Sequence, residues 1–337
     1  MGNFFKNFSS FFLLICSLFI YFFFKKNSKI GHQALVRTYV LTGGLSNKII
    51  SKFISFFSLM SKKIIYYDGS SEIFEKKNEN NLILDDLFNE GYSIFKNKIS
   101  RDHIDFLISF AKNNEGFFLK NREIVSLNYK NFDFSSAVFN YNENILLDNF
   151  LIRKIAINSD FLEIASAYFD SAPILSAVNM WWSIPSANVD SEAGQLYHFD
   201  MDRIKFLKFF IYLTDVDCDS GPHCYVSGTH KPFSKKKLLN RGYQRIPDGD
   251  IRENYSSERI RSITGNAGTI IVGDTSCFHK GFPPRKSSRL ILEFEYSNCL
   301  FGAETEKILD ATKNKLKDDI AYKYLLESKS KTLFRYY

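Results

Sequence analysis

Residues 195–230, QLYHFDMDRIKFLKFFIYLTDVDCDSGPHCYVSGTH, contain the triplet His198-Phe199-Asp200, an imidazole and a carboxylate two positions apart. On a β-strand, residues two apart point to the same side. Both groups can therefore grip one metal ion. A third ligand from elsewhere would complete a two-histidine, one-carboxylate set, which leaves coordination positions open for substrate and oxygen. The second histidine is His279, in GTIIVGDTSCFHKGF. There a strand over 268–272 runs into a Gly-Asp turn and delivers Cys277, Phe278 and His279. Ten residues on, Arg289 opens the run RLILEFEY.

These pieces need a frame of strands to bring them together. From residue 174 the chain breaks into short alternating or apolar runs punctuated by Gly, Pro, Asn and Asp. Strands are expected near 176–183, 195–200, 206–214, 268–272 and 289–296, a pattern of short strands and turns that suggests a sandwich or barrel. Upstream, Leu84, Leu87 and Phe88 follow helical spacing and stop at Gly91. Residues 92–95 read as a short strand. Ser100 is placed to cap a helix burying Ile104, Leu107, Ile108 and Ala111. Residues 161–169 read as another helix, and 308–326 as a charged, amphipathic helix packing on the domain. The class is mainly β with flanking helices (α+β). The expected division is 1–67 as an N-terminal anchor and amphipathic segment, 68–81 as a linker, 82–300 as the main domain, and 301–337 as the C-terminal helix.

The order H-x-D, then LKFFIYLTDVD, then GPHCYVSGTHK, then H-x9-R resembles the phytanoyl-CoA dioxygenase family. The run LFNEGYSIFKNKISRDHIDFL looks like that family's opening helix, strand and helix. The resemblance covers roughly residues 82–296. It implies a double-stranded β-helix, a jelly roll of eight core strands. It also implies Fe(II) held by His198, Asp200 and His279, with 2-oxoglutarate and O2 filling the open positions. Arg289 matches the arginine that pairs with the distal carboxylate of 2-oxoglutarate, which a planar guanidinium can hold by both oxygens. The implied products are succinate, CO2 and a hydroxylated substrate. The carboxylate of Asp200 favours hydroxylation over halogenation, because related halogenases lack it. Several members carry a hydroxyl residue two positions after the distal histidine, where this chain has Gly281. Arg289 also alternates with Ile291, Glu293 and Glu295, against a more apolar set of Leu290, Leu292, Phe294 and Tyr296. Arg285 is therefore kept as a weaker alternative anchor.

The bulk properties bound the rest. With 337 residues and 45% hydrophobic content, the chain can bury a sizeable core. A formal charge of +7 is too small an excess to indicate nucleic acid as a partner. Five cysteines, an odd number with Cys16 inside an apolar run, make no disulfide framework and suit a reducing compartment. Residues 8–24 form 17 positions without a charge, at the short end for a membrane span. Lysines after that run predict a single-pass membrane anchor with the catalytic domain in the cytoplasm. Residues 48–63 mix lysines with Ile, Phe, Leu and Met. They fit a helix on a membrane surface, or one packed on the domain.

Other features have bland and sharp readings side by side. Cys218, His223, Cys224 and His230 have the ligand count of a zinc site but an unfamiliar spacing. Turn structure at the pocket mouth is the preferred reading for Gly221-Pro222-His223 and for the segment ending in His230. Trp181, Trp182 and Tyr197 read as core, or as pocket wall. Lys208 faces either solvent or a co-substrate carboxylate. Residues 231–245 hold six basic residues and no acid, a solvated run or a contact for an anionic substrate or an acidic membrane surface. The function expected is hydroxylation of a small-molecule or lipid-linked, anionic substrate. Two alternatives stay open: a membrane-tethered, non-catalytic jelly-roll binding protein, and a metal-dependent cupin-type enzyme that does not use 2-oxoglutarate.

Overall fold

The computed structural model describes residues 2–24, 26–59, 80–120, 123–132, 134–185, 194–239 and 242–304. Eleven strands appear in that portion: β1 (Tyr92–Ile94), β2 (Glu115–Lys120), β3 (Glu123–Asn128), β4 (Val138–Asn140), β5 (Ile174–Ser183), β6 (Phe206–Tyr212), β7 (His223–Val226), β8 (Ile260–Ile263), β9 (Ile270–Gly273), β10 (His279–Gly281) and β11 (Arg289–Ser297). Eight of them form one sheet in the order β1-β9-β6-β11-β5-β4-β2-β3. The other three form a second sheet, β10-β7-β8. Every ladder is antiparallel.

The centre of the large sheet comes from β5, β6 and β11, three runs of branched and aromatic residues long enough to pair along their length. Their period of two separates the faces. Leu290, Leu292, Phe294 and Tyr296 of β11, with Leu207, Phe209 and Ile211 of β6, lie in the main core. Ile291, Phe210 and Tyr212, on the opposite face, pack with Tyr225 and Ile263 of the small sheet. Helices cover the first face. Among α1 (Gly2–Phe24), α2 (Lys29–Thr42), α3 (Leu45–Leu59), α4 (Asn80–Asn89), α5 (Arg101–Asn113), α6 (Glu143–Asp148), α7 (Phe150–Ala156) and α8 (Ser159–Phe169), the last five bury apolar stripes in that core. Phe161 of α8 stacks on Phe209 at 4.3 Å. Truncating a ring buried this fully typically costs about 3–5 kcal/mol.

The N-terminal segment differs from the expected membrane anchor. Residues 8–24 fall in α1, but no helix among the described residues is long and apolar enough to cross a membrane. The single-pass anchor, and the location built on it, therefore fall. A hydropathy sum ignores what a helix packs against. Ser10, Leu14 and Tyr21 of α1 are buried, Gly31 of α2 sits close against Ser17, and the Tyr21 hydroxyl accepts the Leu300 N–H at 2.9 Å. The described part of 48–63 belongs to α3, which is stitched to the domain. Asn47 donates to the Ile204 carbonyl at 3.0 Å, Ser55 to the Phe169 carbonyl at 2.9 Å, and Asn298 to Ser51 at 3.1 Å. Its other side exposes Phe53, Phe56 and Phe57.

Expected strands at 176–183, 206–214 and 289–296 correspond to β5, β6 and β11. Residues 195–200 form no ladder; they carry single bridges, Tyr197 to Ile246 and His198 to His279. Helices α4, α5 and α8 and strand β1 lie where spacing placed them. Ser100 does not cap α5 with its side chain, which bonds His103 Nδ1 at 2.8 Å instead. Most of the expected linker and the helix at 308–326 lie outside the described residues.

Candidate active site

Two chain segments meet edge to edge at the site. His198 N–H donates to the His279 carbonyl at 3.0 Å, and His279 N–H returns the bond at 2.8 Å. Asp200 N–H then reaches the Thr275 carbonyl at 2.8 Å. Directly opposed residues of an antiparallel pair put their side chains on one face. This brings His198, His279 and, two positions on, Asp200 together. The intervening Phe199 and Phe278 turn the other way, bury fully and pack edge to face at 5.8 Å. The aromatic face locks the segments, and the polar face is left for chemistry.

The donor atoms converge. His198 Nε2 lies 3.6 Å from Asp200 Oδ1, and His279 Nε2 lies 3.5 Å from Asp200 Oδ2. Each imidazole commits its other nitrogen to a backbone carbonyl two residues earlier: His198 Nδ1 to Leu196 at 2.9 Å, and His279 Nδ1 to Cys277 at 3.0 Å. A carbonyl only accepts, so Nδ1 carries the proton and Nε2 presents its lone pair inward. Burial, followed by the neighbouring His279, lowers the His198 pKa to about 3. Burial also lowers that of His279. Burial alone would raise Asp200, but Lys208 and the two imidazoles outweigh it and hold the carboxyl well below the usual range. The set is thus two neutral imidazoles and one carboxylate at neutral pH, which is what a divalent ion of intermediate hardness takes. It is the one such cluster of histidine, cysteine or acid side chains among the described residues.

Lys208 resolves toward the site. Its ammonium lies 2.9 Å from Asp200 Oδ2, 3.3 Å from Asp202 Oδ2 and 3.6 Å from Glu295 Oε2. Burial works against its charge, yet Asp200 and Glu293 raise its pKa well above normal. Glu293 and Glu295 share the inner face of β11 with Arg289. Asn179 holds Glu293 at 2.9 Å, and Ser176 holds Glu295 at 2.5 Å, with Arg203 3.8 Å away. The charged alternation that argued against an inward Arg289 belongs to a polar interior.

Arg289 is 3% exposed. It donates to the Gly221 carbonyl and, at 3.0 Å, to the Ser183 hydroxyl. Its Nε has no partner, and no carboxylate pairs with it among the described residues. Gly281 explains part of this geometry. A Cβ there would stand 3.1 Å from Arg289 Nη2, so the guanidinium uses the space a side chain would fill. Arg285 is exposed and stacks on Phe282 at 5.1 Å.

His198, Asp200, His279 and Arg289 all line one cavity of about 580 Å³, together with Lys208, Glu293, Asn179, Trp181, His223 and Arg245. His223, which the sequence placed in a turn, is on β7 with Phe210 4.2 Å from its ring and Nδ1 unpartnered. Cys218 is exposed, and Cys224 follows His223 on the strand, so the four candidate zinc ligands do not gather. Trp182 and Tyr197 are core residues. The basic loop divides. Arg245 reaches the cavity, while Lys235 is buried, donating to the Thr229 and Ser276 carbonyls at 2.6 Å each.

Comparison with known proteins gives the same frame. Residues 138–289 match the family model described as phytanoyl-CoA dioxygenase, a span that includes all four sequence-selected site residues. A search of curated proteins returned no match. Among solved structures, HygX from Streptomyces hygroscopicus with nickel and 2-oxoglutarate bound is 14% identical, with a TM-score of 0.48 over 72% of this chain and 94% of that one. AviO1 from Streptomyces viridochromogenes Tue57 is 14% identical, with a TM-score of 0.42 over 68% and 100%. The carbocyclase SnoK from nogalamycin biosynthesis, described as non-heme and alpha-ketoglutarate dependent, is 15% identical, with a TM-score of 0.44 over 66% and 84%. Residues 138–289 thus form a domain of the phytanoyl-CoA dioxygenase family.

Proposed function

We propose that the 580 Å³ cavity is the active site of an Fe(II)- and 2-oxoglutarate-dependent dioxygenase that hydroxylates a small molecule. One observation carries this reading. A neutral-imidazole pair and a carboxylate converge in the same cavity as a buried arginine that has no carboxylate partner among the described residues. His198, Asp200 and His279 would hold the iron, and Arg289 would pair with the distal carboxylate of 2-oxoglutarate. The bound iron supplies O2 activation coupled to decarboxylation of the co-substrate, giving succinate and CO2.

The protein's part is placement. Leu196 and Cys277 carbonyls fix both imidazoles in the ligating tautomer. Lys208 keeps Asp200 ionised and turned toward the histidines. Ser183 and Gly221 hold the guanidinium in place. Trp181 and Phe210 supply apolar wall, and the unpartnered His223 Nδ1 is available to bond the co-substrate or an ordered water. Arg245, at the loop end of the cavity, favours a substrate with an anionic group. In this reading the two antiparallel sheets are the halves of a jelly roll, and residues 82–300 are the catalytic domain. An Arg289 turned away from the metal ligands would favour the cupin-type alternative without 2-oxoglutarate; its place in the cavity lining supports the 2-oxoglutarate reading instead.

The test is succinate formation. Protein with Fe(II), ascorbate and 2-oxoglutarate should release succinate in air, slowly without substrate and faster with a matching small molecule. His198→Ala and His279→Ala should reduce it to background. Succinate release unchanged in both variants would overturn the assignment.

A further inference from the structure

A second cavity, of about 590 Å³, lies beside the first and shares none of its lining residues. Asp200 faces the candidate active site, and its successor Met201 lines the second cavity. The floor is apolar, with Tyr168, Phe169, Met201, Ile204 and Phe206 all buried. The rim is basic. Lys48 and Lys52 come from adjacent turns of α3, Lys205 precedes β6, and Lys231 opens the basic loop.

None of these four lysines takes part in an ion pair among the described residues. Lys205 donates to the Tyr168 carbonyl, and its ammonium stands 4.2 Å over the Tyr168 ring. Two acids reach the cavity. Asp274 is already held by the Tyr168 hydroxyl at 2.6 Å and the Ser276 N–H at 2.9 Å. Asp170 is the exposed, left-handed cap of α8. Four ammonium groups against two carboxylates leave a net positive field over an apolar hollow. The wall carrying Lys48 and Lys52 is rigid, because Asn47, Ser51 and Ser55 tie α3 to the domain. The two basic sequence features, in α3 and in the loop after β7, therefore converge on one place.

We propose that this second cavity binds a small amphiphile, an oxyanion head held by Lys48, Lys52, Lys205 and Lys231 and a hydrocarbon body lying on Phe169, Met201 and Phe206. The head is a carboxylate or a phosphate, which meet ammonium groups by the same charge-assisted bonds. The hollow is far larger than either head alone, which is why an apolar body is part of the ligand.

Calorimetric titration of the full chain tests this with decanoate, decyl phosphate, decanol and inorganic phosphate, each below its micellar range. At least one of the two decyl anions should bind one-to-one, at least tenfold more tightly than decanol or inorganic phosphate. Whichever anion binds more tightly names the head. Lys48→Gln/Lys52→Gln/Lys231→Gln should weaken that binding at least tenfold. So should Ala167→Trp, which fills the cavity from an exposed position on α8. His198→Ala should bind as the unaltered protein does. Equal binding of decanol would overturn the oxyanion head. Binding that survives both cavity variants, or that is lost in His198→Ala, would overturn the site. A failure of the dioxygenase reading leaves every one of these outcomes unchanged.

Discussion

The two ends of the candidate active site treat buried charge in opposite ways. At the metal end, the Asp200 carboxylate is balanced by Lys208, and Lys208 in turn by Asp202 and Glu295. At the other end, Arg289 is as deeply buried as any of these, yet among the described residues it bonds a carbonyl and a hydroxyl and pairs with no carboxylate. A buried charge without a counter-charge is costly, and evolution retains one where a ligand supplies the partner. Under the proposed function, the metal end would stand by itself and add a cation, whereas the arginine end would be completed by an incoming carboxylate.

The largest expected effect is at the metal end. Asp200→Ala should abolish Fe(II) binding and reduce succinate formation to background, read by equilibrium dialysis and a succinate assay. The next contrast separates the ends by function. Arg289→Met should leave Fe(II) affinity within about twofold and weaken 2-oxoglutarate about 100-fold, as two charge-assisted bonds near 1.5 kcal/mol each would give. Stability should divide the other way. Lys208→Met strands Asp200 and Glu295 and should cost about 3–5 kcal/mol in urea unfolding of the metal-free protein. Arg289→Met strands no charge and should cost less than about 2 kcal/mol. Equal costs for the two would dissolve the comparison.

A finer test uses Gly281. Gly281→Ser should crowd Arg289 Nη2 and raise the KM for 2-oxoglutarate roughly fivefold, about 1 kcal/mol, with Fe(II) affinity unchanged. The smallest effect is a pH dependence. Burial raises the Glu295 pKa to about 7, from an ordinary value of 4.5. Between those values the folded state holds a proton that the unfolded chain has lost, so this residue's contribution falls as pH rises from 4.5 to 7. Glu295→Gln should remove that decline, seen as a flatter urea midpoint across the window.

Much of this site was legible because its spacing is local. The H-x-D triplet places its two groups two positions apart, Arg289 opens β11, and β5, β6 and β11 announce themselves by length and branching. What stayed hidden depends on partners distant in the chain. The alternation of Arg289 with Glu293 and Glu295 weighed against an inward arginine until Lys208, Asn179 and Ser176 supplied inward bonds for both acids. His223 followed Gly221-Pro222 and read as a turn, although its pairing with Gly281 of β10 and Ile263 of β8 makes it strand. The apolar run in α1 read as a short span, but the helix is not long and apolar enough to cross a membrane, and its contacts with Gly31, Leu300 and Phe301 show a stripe spent on the domain. Hydropathy carries no information on what a helix will touch.

The most direct test of the central claim is the visible absorption of anaerobic protein loaded with Fe(II) and then with 2-oxoglutarate. A metal-to-ligand charge-transfer band should appear on adding 2-oxoglutarate, need far more of it in Arg289→Met, and be absent in Asp200→Ala. A folded, iron-loaded protein that shows no band with saturating 2-oxoglutarate would contradict the account.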